Sequence, residues 1–167
     1  MVTGALIELI LVFAVVGIAA MLYPVLRRHD EGLALWYLGG RLLEAVALVA
    51  ALLPVIIAAE LSEVEGGLPP QPLDTLVATR DWSTRLGQLV MFGGGALILY
   101  TLLYRARLVP TWLSLWGLTG AALILVRGVI ETYTGDISPA GQVLLAGPIG
   151  VNEMVLAVWL IAKGFAA

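Results

Sequence analysis

A chain of 167 residues in which 60% are hydrophobic and 13% charged departs from soluble domains, which run about 45–50% apolar and about 25% charged. With a mean hydropathy of +0.99 it belongs in lipid, and at a net charge of −3 no nucleic-acid partner is expected. The absence of cysteine excludes disulfides, thiolate metal sites and cysteine nucleophiles.

Crossing roughly 30 Å of hydrocarbon takes about 20 residues of helix, so the length is best counted in spans. The expected fold is all-α: one integral membrane domain over residues 1–167, a polytopic bundle of five spans. The first span, residues 3–26, contains Glu8. Met1 to Ala20 holds no Lys or Arg, so the segment lacks the basic n-region of a signal peptide and reads as a mature helix. A short turn with Arg27, Arg28, His29, Asp30 and Glu31 follows, its histidine expected in solvent. The second span, residues 32–59, places Arg41 and Glu44 about 14 and 18 Å from its start at 1.5 Å per residue, near the midplane. Residues three apart share a helix face, so both look toward the same neighbour and either could meet the fifth span. Pro54 in this span is compatible with a simple kink or a polar break.

Residues 60–75 include Gly66, Gly67, Pro69, Pro70 and Pro72 and are expected to form an external loop without regular helix. The third span, residues 76–104, carries Arg80, Asp81 and Arg85, with Asp81 and Arg85 spaced for pairing within one helix. Its run Gly93, Gly94, Gly95 reads as close helix packing, because a phosphate loop needs a preceding strand. The fourth span, residues 110–134, has a small-residue face at Gly117, Gly120 and Ala121 and another (i, i+4) ion pair in Arg127 and Glu131. In the fifth, residues 141–165, Pro148 with Gly147 and Gly150 precedes Asn152 and Glu153. This is either a kink or the kind of broken helix at which transporters bind ions and substrates.

Arg27, Arg28, Arg105, Arg107 and Lys163 mark alternate connections, while Glu60, Glu63, Glu65, Asp74 and Asp136 mark the others. The positive-inside rule then expects the N-terminus outside and the C-terminus in the cytoplasm. Tyr23, Trp36, Tyr37, Tyr100, Tyr104, Trp112, Trp116 and Trp159 fall toward the basic ends, as expected of an interfacial belt.

Charged groups inside the spans are costly and need partners, which makes them the place to look for function. Arg41, Arg80, Arg85 and Arg127 stand against Glu8, Glu44, Asp81, Glu131 and Glu153, a near-balanced set suited to mutual pairing. Arginine holds its proton, so any proton relay falls to Glu44 and Glu153. Ser83 and Ser114 have no histidine in reach for a triad, and no metal centre, cofactor or catalytic residue is expected.

Several ordered stretches carry a family resemblance: residues 23–29 (Tyr-Pro-Val-Leu-Arg-Arg-His), 31–35 (Glu-Gly-Leu-Ala-Leu), 41–46 (Arg-Leu-Leu-Glu-Ala-Val), 103–110 (Leu-Tyr-Arg-Ala-Arg-Leu-Val-Pro), 112–117 (Trp-Leu-Ser-Leu-Trp-Gly) and 152–161, which opens on Asn152 and Glu153. In these the chain resembles the bacterial membrane family described as domain of unknown function 4386. The resemblance implies a small multi-pass protein of the bacterial inner membrane with no established activity. It also implies one further span ahead of the first, lacking here, whose loss leaves a groove open to lipid or a partner.

The functional expectation is a non-catalytic membrane subunit or small-ligand-binding module built round a polar core of Arg41, Glu44, Asp81, Arg85, Arg127, Glu131, Asn152 and Glu153. Its partners are the lipid bilayer and either a small amphiphilic ligand, a second copy or a membrane protein. Two alternatives remain: a transporter or receptor whose anionic or amphiphilic ligand meets Arg85 and Arg127, and a lipid-active enzyme using Asp81, Glu131 or Glu153 as general base.

Overall fold

The computed structural model describes residues 2–62, 69–135 and 137–165. Among them the chain is helical: α1 (Val2–Leu26), α2 (Glu31–Ser62), α3 (Pro70–Thr84), a π-helical segment (Arg85–Met91), α4 (Phe92–Arg105), α5 (Thr111–Thr134) and α6 (Pro139–Lys163). α3, the π segment and α4 run on as a single helix, so five helices are long and apolar enough to cross a membrane. The protein is accordingly a multi-pass membrane protein.

Local chemistry sets the ends. The Asp30 carboxylate accepts the Leu33 N–H at 3.0 Å, and the Ser138 hydroxyl accepts that of Gly141 at 3.2 Å. Each satisfies one of the donors a helix start leaves unpaired. α5 and α6 stop at Gly135 and Gly164, whose φ values of 82° and 72° side chains with a Cβ rarely adopt.

The third span begins earlier than expected. Pro70 and Pro72 lie in the first turn of α3, where a missing N–H costs nothing because it has no carbonyl to meet. α2 also continues to Ser62, so the expected loop shortens from both sides; residues 63–68, with Glu63, Glu65, Gly66 and Gly67, lie outside the described residues, as does Asp136. Pro54 and Pro148 sit inside uninterrupted helices.

In the third span the Phe92 N–H bonds to the Gly87 carbonyl five residues back, a widening that inserts one extra residue into the turn. Close approaches flank it. A Cβ on Gly87 would lie 2.9 Å from the Ala47 Cβ, and one on Gly128 would lie 2.9 Å from the Leu89 Cβ. The expected packing role of the glycine run is met at Gly93, where a Cβ would come within 2.8 Å of Leu125, whereas Gly94 faces open space.

α2 packs on α1 and on the whole third span, and α5 packs on that span and on α6. The basic turns gather at one end. His29 and Asp30 border the same recess as Arg105, and Arg107 lies by Lys163. His29 is exposed as expected. Ile7, Phe13, Met21, Met154 and Ile161 face outward, the arrangement a hydrocarbon solvent requires. Trp36, Tyr104 and Trp112 are exposed near the basic end, but Tyr37 and Tyr100 are completely buried. Those two tyrosines belong to the core, because they face the charged cluster described next.

Candidate functional site: a charged cluster at the base of an apolar cleft

Arg41 stands about 15 Å along α2 from Glu31 at 1.5 Å per residue, deep enough that its guanidinium cannot reach water by extension alone. Small residues make room for it: a Cβ on Gly95 of α4 would lie 4.0 Å from the Arg41 Cδ. One turn later on the same face, Glu44 Oε2 accepts from Arg41 Nη1 at 2.8 Å. One turn earlier, the Tyr37 hydroxyl accepts a long bond from Arg41 Nε at 3.4 Å. The guanidinium also lies over two aromatic faces, 5.6 Å from the Tyr37 ring centre and 5.1 Å from that of Phe92, within cation–π range.

The fifth span completes the cluster. Glu153 Oε1 lies 3.7 Å from Arg41 Nη2, close enough for attraction but beyond direct hydrogen-bond length. The two glutamates differ in access: the Glu44 side chain is 5% exposed and that of Glu153 is 38% exposed. Glu153 faces a cleft of about 440 Å³ between α1 and α6, within the roughly 300–1,000 Å³ typical of ligand sites. Leu11, Val15 and Ile18 of α1 form one apolar wall and Leu156, Ala157 and Leu160 of α6 the other, with Tyr37, Arg41, Glu44 and Phe92 between them.

The other expected site residues lie elsewhere. Arg127 Nε bonds Glu131 Oε1 at 2.8 Å, and the Glu131 side chain is 6% exposed. Arg85 Nη1 donates to the Glu131 backbone carbonyl at 3.2 Å, and its guanidinium lies 5.6 Å from the Trp82 ring centre. Glu131 is in the last turn of α5, where carbonyls have no helical partner, so Arg85 caps that helix end. The intrahelical pair expected of Asp81 and Arg85 is not what forms: Arg85 reaches α5, and Asp81 is exposed. Neither Arg85 nor Arg127 lines the cleft.

Asn152 is completely buried and donates from Nδ2 to the Leu113 carbonyl at 3.1 Å, tying α6 to α5. Nearby on α5, the Tyr100 ring packs on Gly117, leaving no room there for a Cβ. The Tyr100 and Ser114 hydroxyls and Asn152 Oδ1 are buried without a hydrogen-bond partner among the described residues.

A further pair was not evident in the sequence. Glu8 Oε1 meets Arg80 Nη2 at 2.7 Å, joining α1 to α3 across α2, and Arg80 Nη1 also donates to the Ala51 carbonyl at 3.1 Å. That carbonyl lies in the turn before Pro54, where the proline loosens the backbone ladder. Arg80 would keep its bond to the Ala51 carbonyl, so Glu8→Gln is expected to cost about 1–3 kcal/mol, the loss of one bond between charged groups. Equilibrium unfolding in detergent checks this, and a loss several times larger would mark the pair as a clasp the bundle depends on. Among the described residues no group of three or more His, Asp or Glu side chains is placed to hold a metal ion.

A family model described as a domain of unknown function (DUF4386) matches residues 1–164. No curated protein and no solved structure matches the chain.

Proposed function

The chain belongs to the family described as a domain of unknown function (DUF4386), and we propose from its geometry that it is a non-catalytic membrane module that binds a small amphiphile in the cleft between α1 and α6. One observation carries this reading: an otherwise apolar cleft ends on a charged cluster in which Glu153 stays accessible while Glu44 is held by Arg41. Ligand sites combine apolar walls with a few placed polar groups in this way. A purely structural brace has no need of a second carboxylate that reaches the cleft without a direct bond to Arg41.

The alternatives have less behind them. An anionic ligand at Arg85 and Arg127 would compete with the bonds those side chains make to Glu131. Of the carboxylates considered as a general base, only Glu153 lines the cleft. By the positive-inside rule the end bearing Arg27, Arg28, Arg105, Arg107 and Lys163 is assigned to the cytoplasm; the bacterial inner membrane is what the family resemblance implies.

The test is thermal unfolding of the purified protein in nanodiscs with a panel of single-chain amphiphiles. A ligand that binds only the folded state stabilises it by about 2.7 kcal/mol at one hundred times its dissociation constant. At least one amphiphile should raise Tm, and Ala157→Trp, which fills the cleft from α6, should abolish the rise while leaving Tm without ligand close to wild type. Failure of the whole panel, or a rise that survives Ala157→Trp, would remove the cleft as the site.

A further inference from the structure

The charge in the cleft narrows the chemistry of its occupant. Among the described residues lining it, the charged ones are Arg41, Glu44 and Glu153: one cation and two carboxylates. Arg41 and Glu44 form a closed pair at 2.8 Å. The remaining Arg41 Nη2 stands 3.7 Å from Glu153, so Glu153 is attracted but not hydrogen-bonded, and when ionised it supplies a negative charge that no second cation lining the cleft balances.

Resting on the binding-module reading, we propose that the cleft takes a monocationic single-chain amphiphile, its positive head seated on Glu153 and its hydrocarbon chain between α1 and α6. A surplus charge between apolar walls is costly, and one positive head group restores neutrality. An anionic head would find Arg41 already occupied and two carboxylates beside it. A neutral head leaves the surplus in place. The other titratable groups facing Glu153 are Arg41 and Glu44 on α2, with the Tyr37 and Tyr100 hydroxyls in electrostatic reach. Neither phenol adds a positive charge that would compete with the ligand. The Tyr37 and Phe92 rings hold the arginine, so the incoming cation competes only with the 3.7 Å Arg41–Glu153 contact and leaves the 2.8 Å Arg41–Glu44 bond in place. The walls complement the tail. Leu11, Val15 and Ile18 on one side and Leu156 and Leu160 on the other offer only apolar surface, so the chain gains the same burial it would have among lipids while its head gains a carboxylate.

Dodecyltrimethylammonium, dodecanol and dodecanoate share a chain length and differ in head charge, which makes them suitable probes. Binding is measured to the full chain in nanodiscs of zwitterionic lipid, with empty nanodiscs correcting for partition. The cation should bind most tightly, and Glu153→Gln should weaken it about ten- to one-hundred-fold, the order expected when one charge of a close ion pair is removed from a partly desolvated site. Retained dodecanol binding in Glu153→Gln, at whatever affinity, together with an unchanged helical circular-dichroism spectrum, shows that the variant is folded and the cleft intact. Glu153→Lys, which turns the surplus positive, should shift the preference to dodecanoate. Equal or tighter binding of dodecanol or dodecanoate to the wild type overturns the cation assignment while leaving the cleft as a binding site. Undiminished cation binding in Glu153→Gln overturns it as well. Absence of binding by all three probes removes both readings.

Discussion

Arg41→Met is expected to destabilise the protein by about 3–5 kcal/mol, the usual consequence of removing one partner from a buried ion pair. Glu44 would keep its burial, at 4% exposure, but lose the 2.8 Å bond that offsets it. Glu153 would lose its attraction to the same guanidinium, and the Tyr37 hydroxyl its donor. The partner replacement separates the cost of a lone charge from the worth of the pair. Adding Glu44→Leu to Arg41→Met should recover most of the stability, because well-packed apolar residues commonly replace a buried pair at little net cost. The measurement is reversible unfolding in mixed micelles for wild type, both single variants and the double. Single variants of wild-type stability would mean that water or lipid head groups reach the cluster, and the depth assigned to Arg41 would then be wrong.

The second large effect lies on α5. A Cβ on Gly120 would stand 2.9 Å from both the Cα and the N of Ile149, and backbone atoms cannot swing aside as a side chain can. Gly120→Ala is therefore expected to push α6 away from α5 and to cost about 1–3 kcal/mol, as overpacking does. Ile149 and Glu153 are four residues apart on one face of α6, so the same displacement should open the gap between Glu153 and Arg41 and weaken ligand binding. Gly94→Ala is the matched control, since nothing lies within 4 Å of its added Cβ; its stability should equal or slightly exceed wild type. Equal tolerance at both positions would show that α5 and α6 are not in close contact.

What could be read from the chain and what could not divides by range. Breaks in hydropathy and charged turns located α1, α5 and α6 to within a few residues. Fixed spacing on one helix put Arg41 and Glu44 on a shared face and anticipated the Arg127–Glu131 bond. The same rule failed for Asp81 and Arg85, because Arg85 opens the π segment and satisfies a terminal carbonyl of α5, a demand that only packing creates. The Glu8–Arg80 pair bridges 72 positions of sequence, and nothing local foretells it. Pro70 and Pro72 read as breakers in the sequence, although the first turn of a helix is the one place that admits them freely. Tyr37 was legible in principle: it sits four residues before Arg41, on the face already known to point inward. Phe92, by contrast, gave no signal, since its position under Arg41 depends on how the preceding turn is wound.

That winding has a consequence for the third span. Successive residues of an α-helix are offset by about 100° around the axis, so one additional residue in the Arg85–Met91 segment advances the rest of the helix by about that angle. The lower and upper halves of the span thus run out of phase. One half aims Arg85 at the end of α5, and the other aims Phe92 at Arg41 on α2. A single continuous helix passing between two neighbours serves each of them with a different side, as a key cut on two edges does.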